Sequence, residues 1–188
     1  MKVLVVVDMQ NDFVTGSLGT PEAQAVVPKI VEKLENEDLS RTLVLFTKDT
    51  HYEDYLDTFE GKMLPVEHCI EGTPGWSICK EISSVVDDAP TALYYSSDKI
   101  INSRIYKNTF GADDLAEFIN ENQYRIDEME FVGVCTDICV VSNVLMARRL
   151  LPNTKITVDA SCCAGVTPER HKAALEVMKC CQIDVIGD

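Results

Sequence analysis

Met1-Lys-Val-Leu-Val-Val-Val-Asp8 opens the chain, with an apolar run from Val3 to Val7 that stops at a carboxylate. A run this short, unbroken and β-branched reads as a strand buried on both faces. A helix would instead repeat its apolar residues every three or four positions. Similar runs return at Thr42–Thr47, Met129–Val134, Lys155–Val158 and Ile183–Ile186, with a weaker one at Ile100–Tyr106. Helical patterns lie between them. Glu22–Glu37 follows Thr20-Pro21, with Pro28 an expected irregularity, and Ala112–Asn122 carries Asp113 and Asp114 where a helix N-terminus favours negative charge. Asp137–Leu151 stops at Pro152, and Thr167-Pro168-Glu169 starts a last helix with a cap and a first-turn proline. Strands alternating with helices predict an α/β, three-layer doubly wound fold: a mostly parallel six-stranded sheet with helices on both faces. No repeat, low-complexity tract or linker interrupts the pattern, so residues 1–188 read as one domain.

Composition narrows the function classes. Acids outnumber bases 31 to 17, for a formal charge of −14. Nucleic-acid binding and docking on an anionic membrane both need a basic face, so neither is expected. With 46% hydrophobic and 26% charged residues the chain is an ordinary globular one, long enough to bury a core without staples. The opening apolar run is too short for a secretory or membrane segment, so a cytoplasmic location is expected. The eight cysteines form no CxxC pair and no zinc-finger spacing, and most read as small buried hydrophobes. The vicinal pairs Cys162-Cys163 and Cys180-Cys181 point apart on any regular element, and His171 reads as a helix-surface residue.

In an open α/β sheet, ligands sit beyond the carboxyl ends of the strands. There the sequence sets Asp8 after the first strand, Asp49 and His51 after the second, Lys107 after the third, and Cys135 and Cys139 after the fourth. Cys139 falls in the first turn of a helix, where the free N–H groups favour thiolate, and Lys107 would lower the thiol pKa further. Asp8 can take the thiol proton and return it to a leaving amine. Backbone N–H groups at Cys135 and Cys139 can face an oxyanion. Each residue alone also suits a core or a cap; their joint placement on the strand ends supplies the parts for covalent amide hydrolysis. A second cluster lies beside them. Asp49-x-His51 with His68 beyond it suits zinc, manganese or iron, with a fourth ligand available from Glu53, Asp54, Asp57 or Glu60. The stretch from about residue 49 to 76 is too long for an idle connection.

Five segments in order, Val7-Asp8-Met-Gln-Asn-Asp-Phe13, Asp49-Thr-His51, His68-Cys-Ile-Glu-Gly72-Thr-Pro-Gly75, Lys107-Asn-Thr-Phe110 and Gly133-Val-Cys-Thr-Asp137-Ile-Cys139, resemble the motifs of the isochorismatase-like cysteine hydrolase family over nearly the whole chain. Within that family the chain looks most like the nicotinamidases. The resemblance implies a catalytic Asp8, Lys107 and Cys139. It implies one divalent metal, zinc ahead of manganese or iron, on Asp49, His51, Glu60 and His68, and Phe13 packed against the substrate ring. It also implies a cis peptide at Val134–Cys135, self-association into a homo-oligomer, and hydrolysis of nicotinamide or a close heteroaromatic amide through a thioester, feeding NAD salvage. One departure stands out: Leu64-Pro65-Val66-Glu67 precedes His68 where many nicotinamidases carry Trp-Pro. Two other readings remain: an amidase of the same family for a carbamoyl or ureido compound, and a non-catalytic thiol- and metal-binding protein of the same fold.

Overall fold

Alternation along the first strand sets the layers. The computed structural model describes residues 1–87 and 104–188. Strand β1 (Lys2–Val7) sends Val3, Val5 and Val7 to one side and Leu4 and Val6 to the other, all fully buried. Val3, Val5 and Val7 join a cluster with Leu115 and Ile119 of α5 (Asp113–Asn122), Val144 of α6 (Val141–Leu150) and Leu175 and Met178 of α7 (Pro168–Cys180). Leu4 and Val6 meet Ile30 and Leu34 of α2 (Pro21–Asn36) and Ile82 of α4 (Lys80–Asp87). Short helices α1 (Asn11–Val14) and α3 (Phe59–Met63) lie in the connections.

The remaining strands are β2 (Thr42–Asp49), β3 (Arg104–Lys107), β4 (Glu128–Val134), β5 (Lys155–Ala164) and β6 (Asp184–Ile186). They form a six-stranded sheet in the order β3-β2-β1-β4-β5-β6, every neighbouring pair parallel. The expected fold is the observed one. The strand order reverses between β1 and β4, and such a reversal opens a crevice above the sheet where ligands bind. Asp8 follows β1 and Cys139 follows β4, so both stand at that crevice. Gly133 lets the two strands meet there: it has φ +116°, and a Cβ on it would lie 2.2 Å from the Val7 carbonyl oxygen.

Several boundaries differ from the sequence reading. Strand β2 runs on through Lys48 and Asp49, polar residues that the fold buries. Strand β5 runs six residues past Val158, through Asp159, Ser161 and small side chains that mask the apolar pattern, and a register shift faces it between Phe131 and Gly133. Asp159 is tolerated because Lys33 of α2 reaches it at 2.9 Å while also bonding Glu130 of β4. Lys2 bridges the same Glu130 at 3.0 Å and Glu37 at 2.9 Å, so a charge network ties α2 to the sheet. Pro28 sits inside an unbroken α2. The helix expected from Asp137 is first a wide π-helical turn, Thr136–Val140, and only then α6. Of the candidate strand Ile100–Tyr106, residues 100–103 lie outside the described residues.

Candidate active site

Four strand ends deliver the expected side chains to one place. Asp8, fully buried with φ 49°, takes a left-handed backbone conformation that aspartate tolerates better than most residues. Its Oδ1 accepts a hydrogen bond from the Thr47 hydroxyl at 2.6 Å, and its Oδ2 lies 2.7 Å from Lys107 Nζ. Lys107 Nζ also donates to Cys139 Sγ at 3.4 Å and to Asp49 Oδ1 at 3.1 Å. A single buried ammonium thus touches two carboxylates and the thiol.

The electrostatics of the group depart from the sequence expectation in one respect. Burial would lower the Lys107 pKa, but the charges of Asp8, Cys139 and Asp49 raise it well above the ordinary value. The Cys139 thiol was expected to be acidified. Complete burial and the neighbouring Asp8 carboxylate instead push it well up, overriding Lys107. Burial, with Asp49 adding to it, also raises Asp8 against the pull of Lys107. Burial thus disfavours charge on both the Cys139 thiol and the Asp8 carboxylate, and Lys107 pulls against that shift in each.

The second cluster assembles as well. Asp49, His51 and His68 are all buried, and their donor atoms lie within 4.8 Å of one another. Asp49 Oδ2 is 3.0 Å from His51 Nε2 and 3.4 Å from His68 Nε2. His68 Nδ1 is 2.8 Å from the Val66 carbonyl, which fixes that nitrogen as the donor and leaves Nε2 to face Asp49. Burial alone would raise Asp49, but His51, His68 and Lys107 hold it well below the carboxylate range. One carboxylate and two imidazoles, two of whose nitrogens turn toward the carboxylate, suit a divalent ion. Glu60 stands at the rim, its Oε1 3.9 Å from His51 Nε2 and its side chain a quarter exposed. The Phe13 ring lies 5.5 Å from the His68 ring, and Tyr55 packs against both histidines.

The peptide Val134–Cys135 is cis. Cys135 caps the turn that carries Cys139, so the two amides expected to face an oxyanion lie at its start and within it. Fully buried Asn143 donates to the Cys139 carbonyl at 2.8 Å and accepts from Ala112 N–H at 2.9 Å, tying the turn to the segment after Lys107.

Other residues at the site carried no assigned role in the sequence reading. Gln10 donates to the Asp49 carbonyl at 2.8 Å and the Trp76 carbonyl at 2.9 Å, and accepts from Asp49 N–H at 2.7 Å. Asp12 accepts the Cys69 N–H at 2.7 Å, fixing the backbone next to His68. Their signal was their place inside the Asp8–Phe13 motif. Trp76 is partly buried, stacks on Tyr106, donates to Thr50 at 2.9 Å and lies beneath the Lys48 ammonium. His171, read as a helix-surface residue, is partly exposed on α7, and its Nδ1 is 2.8 Å from the Thr136 hydroxyl.

The isochorismatase domain model matches residues 2–187. The chain belongs to the isochorismatase family. A nicotinamidase/pyrazinamidase of Mycobacterium tuberculosis is 30% identical to this isochorismatase domain over 193 residues, 99% of this chain and 98% of that protein. The crystal structure of nicotinamidase/pyrazinamidase PncA from Bacillus subtilis matches it with a TM-score of 0.82 at 26% identity, covering 98% of each chain. A pyrazinamidase of Pyrococcus horikoshii in complex with zinc shares the fold at a TM-score of 0.74 and 24% identity, over 100% of this chain and 99% of that one. No helix among the described residues of this isochorismatase domain is long and apolar enough to cross a membrane.

Proposed function

We propose that this protein is a metal-containing cysteine amidase that hydrolyses nicotinamide, or a close heteroaromatic amide, to the acid and ammonia. The family and its nicotinamidase relatives make it a hydrolase of an amide C–N bond. The finer reading is carried by the Lys107 ammonium, which joins Asp8 and Cys139 to the Asp49–His51–His68 cluster.

Cys139 is the nucleophile. Its proton passes to Asp8, and Lys107 balances the thiolate as it forms. The thiolate attacks the carboxamide carbon, and the carbonyl oxygen takes the electron pair while facing the Cys135 and Cys139 amides. Collapse of this adduct expels the amine, which takes the proton from Asp8 and leaves as ammonia, with a thioester on Cys139. Water then gives a proton to Asp8, attacks the thioester, and releases the acid as the thiol recovers its proton. Asp49, His51 and His68, with Glu60 in reach of His51, would hold the divalent ion, for which zinc is the first choice. When bound, that ion supplies a Lewis-acidic anchor for the ring nitrogen of the substrate. Phe13 would pack on the ring. In this reading the product acid feeds NAD salvage.

The test is ammonia release from nicotinamide by purified protein, with metal content measured on the same sample. Turnover with about one divalent ion per chain, lost in Cys139→Ala while the ion stays, is the expected result. No turnover with the ion present would overturn the nicotinamide assignment. No turnover and no ion would overturn the metal-containing amidase.

A further inference from the structure

The turn that carries Cys139 is wide. Its closing bond runs from Val140 N–H to the Cys135 carbonyl, five residues back, at 3.1 Å. Turns of this kind are rare, occur as single turns, and sit frequently at functional sites. Asn143 anchors one side. The start of the turn is held by the segment leading into α7. Thr136, the first residue of the turn, is fully buried, and His171 of α7 meets its hydroxyl at 2.8 Å. Among the described residues the Thr136 hydroxyl makes no other hydrogen bond. The neighbouring Asp137 accepts the Val166 N–H at 2.9 Å. Gly165 lies so close that a Cβ there would come within 2.9 Å of Asp137 Oδ1 and of His171 Cβ. Two consecutive residues of the turn are thus gripped by the segment from Gly165 to His171.

We propose that His171 is a positioning residue for the amidase reaction, holding through Thr136 the turn that aims Cys139 and the Cys135 amide at the substrate carbonyl. The inference rests on the cysteine amidase reading. The hydrogen bond of His171 goes to Thr136, not to Asp8, Lys107 or Cys139. A neutral imidazole and a hydroxyl make one hydrogen bond here whichever ring nitrogen carries the proton. Losing that bond frees the start of the turn to shift, and errors of about 1 Å in the placement of reacting groups cost up to about 10²-fold in rate.

The experiment measures kcat and KM for nicotinamide in His171→Ala, His171→Asn, Thr136→Val, Thr136→Ser and the double variant His171→Ala/Thr136→Val. Metal content and the urea midpoint are recorded for each. The asparagine amide can reach the place of Nδ1, serine keeps the hydroxyl, and valine keeps the shape without it. His171→Ala and Thr136→Val are expected to lose roughly ten- to a hundredfold in kcat, with KM and metal content little changed. The double variant should be no worse than the poorer single one, and His171→Asn and Thr136→Ser should recover most of the loss. Wild-type kcat in His171→Ala, losses that multiply in the double variant, or a serine variant as poor as the valine one would each overturn the proposal. If His171→Ala does not fold, the valine–serine contrast decides alone. Should the wild-type protein not act on nicotinamide, that reading fails separately. Alkylation of buried Cys139 by iodoacetamide then replaces kcat. It should speed up in His171→Ala and Thr136→Val but not in His171→Asn, and equal rates throughout would overturn the positioning role.

Discussion

Replacing Gln10 by leucine tests whether the site is held by the residues behind it. The side chain is fully buried and close to leucine in volume, so the change removes hydrogen bonds with little change in packing. Three backbone groups lose their partner: Asp49 N–H, the Asp49 carbonyl and the Trp76 carbonyl. The two on Asp49 are buried and cannot reach water, and an orphaned buried polar group costs about 1–3 kcal/mol. The Trp76 carbonyl is only partly buried and can be rehydrated. The expected loss of stability is therefore about 2–6 kcal/mol, read as a lower urea midpoint at an unchanged denaturant slope. Because Asp49 is also the shared carboxylate of the histidine cluster, zinc affinity measured by chelator competition should weaken roughly 10- to 100-fold. A loss under about 1 kcal/mol together with unchanged zinc affinity would refute this account of Gln10.

Four further outcomes follow from the same structure. Lys33→Met should cost about 3 kcal/mol, because it leaves Asp159 without its cation and Glu130 with Lys2 alone; thermal unfolding reads it. Asp159 and Glu37 are lowered, burial being outweighed in Asp159 by Ser161 and Lys33 and in Glu37 by Lys2 and Thr42. Their contribution is complete above the unfolded carboxylate range and is lost as pH falls through the folded values, so the urea midpoint should drop from about pH 5 downward, and less steeply in Lys33→Met. Gly133→Ala should cost several kcal/mol, or block folding, because its Cβ has no room beside Val7; circular dichroism with a urea titration shows it. Chelating the divalent ion should stop ammonia release and lower the melting temperature, and adding zinc back should restore both.

Much of this was legible in the sequence because it depended on local pattern. The run Val3–Val7 shows a doubly covered strand, and the strand-end rule alone brings Asp8, Asp49, Lys107 and Cys139 to one rim. What escaped depended on partners distant along the chain. The far half of β5 was hidden because Asp159 looks like a loop residue until Lys33, on another layer, is seen to neutralise it. The direction of the Cys139 shift was misread because helix position and a nearby lysine can be inferred from sequence, whereas total burial beside Asp8 cannot. The bond between His171 and Thr136 was missed because nothing in residues 167–175 reveals that Thr136 lies opposite His171.

The strand order has a bearing on how the protein comes to be active. The groups that meet at Lys107 come from the ends of β1, β2, β3 and β4, and the chain between the first and last of them spans residues 8 to 139. No hairpin or helical fragment contains them, and parallel pairing forms only after long loops have closed. Lys107 itself comes from β3, at one end of the strand order. Recovered activity after dilution from denaturant is therefore a report on the whole assembly from β3 to β4, whereas recovered helical signal is not. A destabilised variant should lose turnover while much of its secondary structure is still in place.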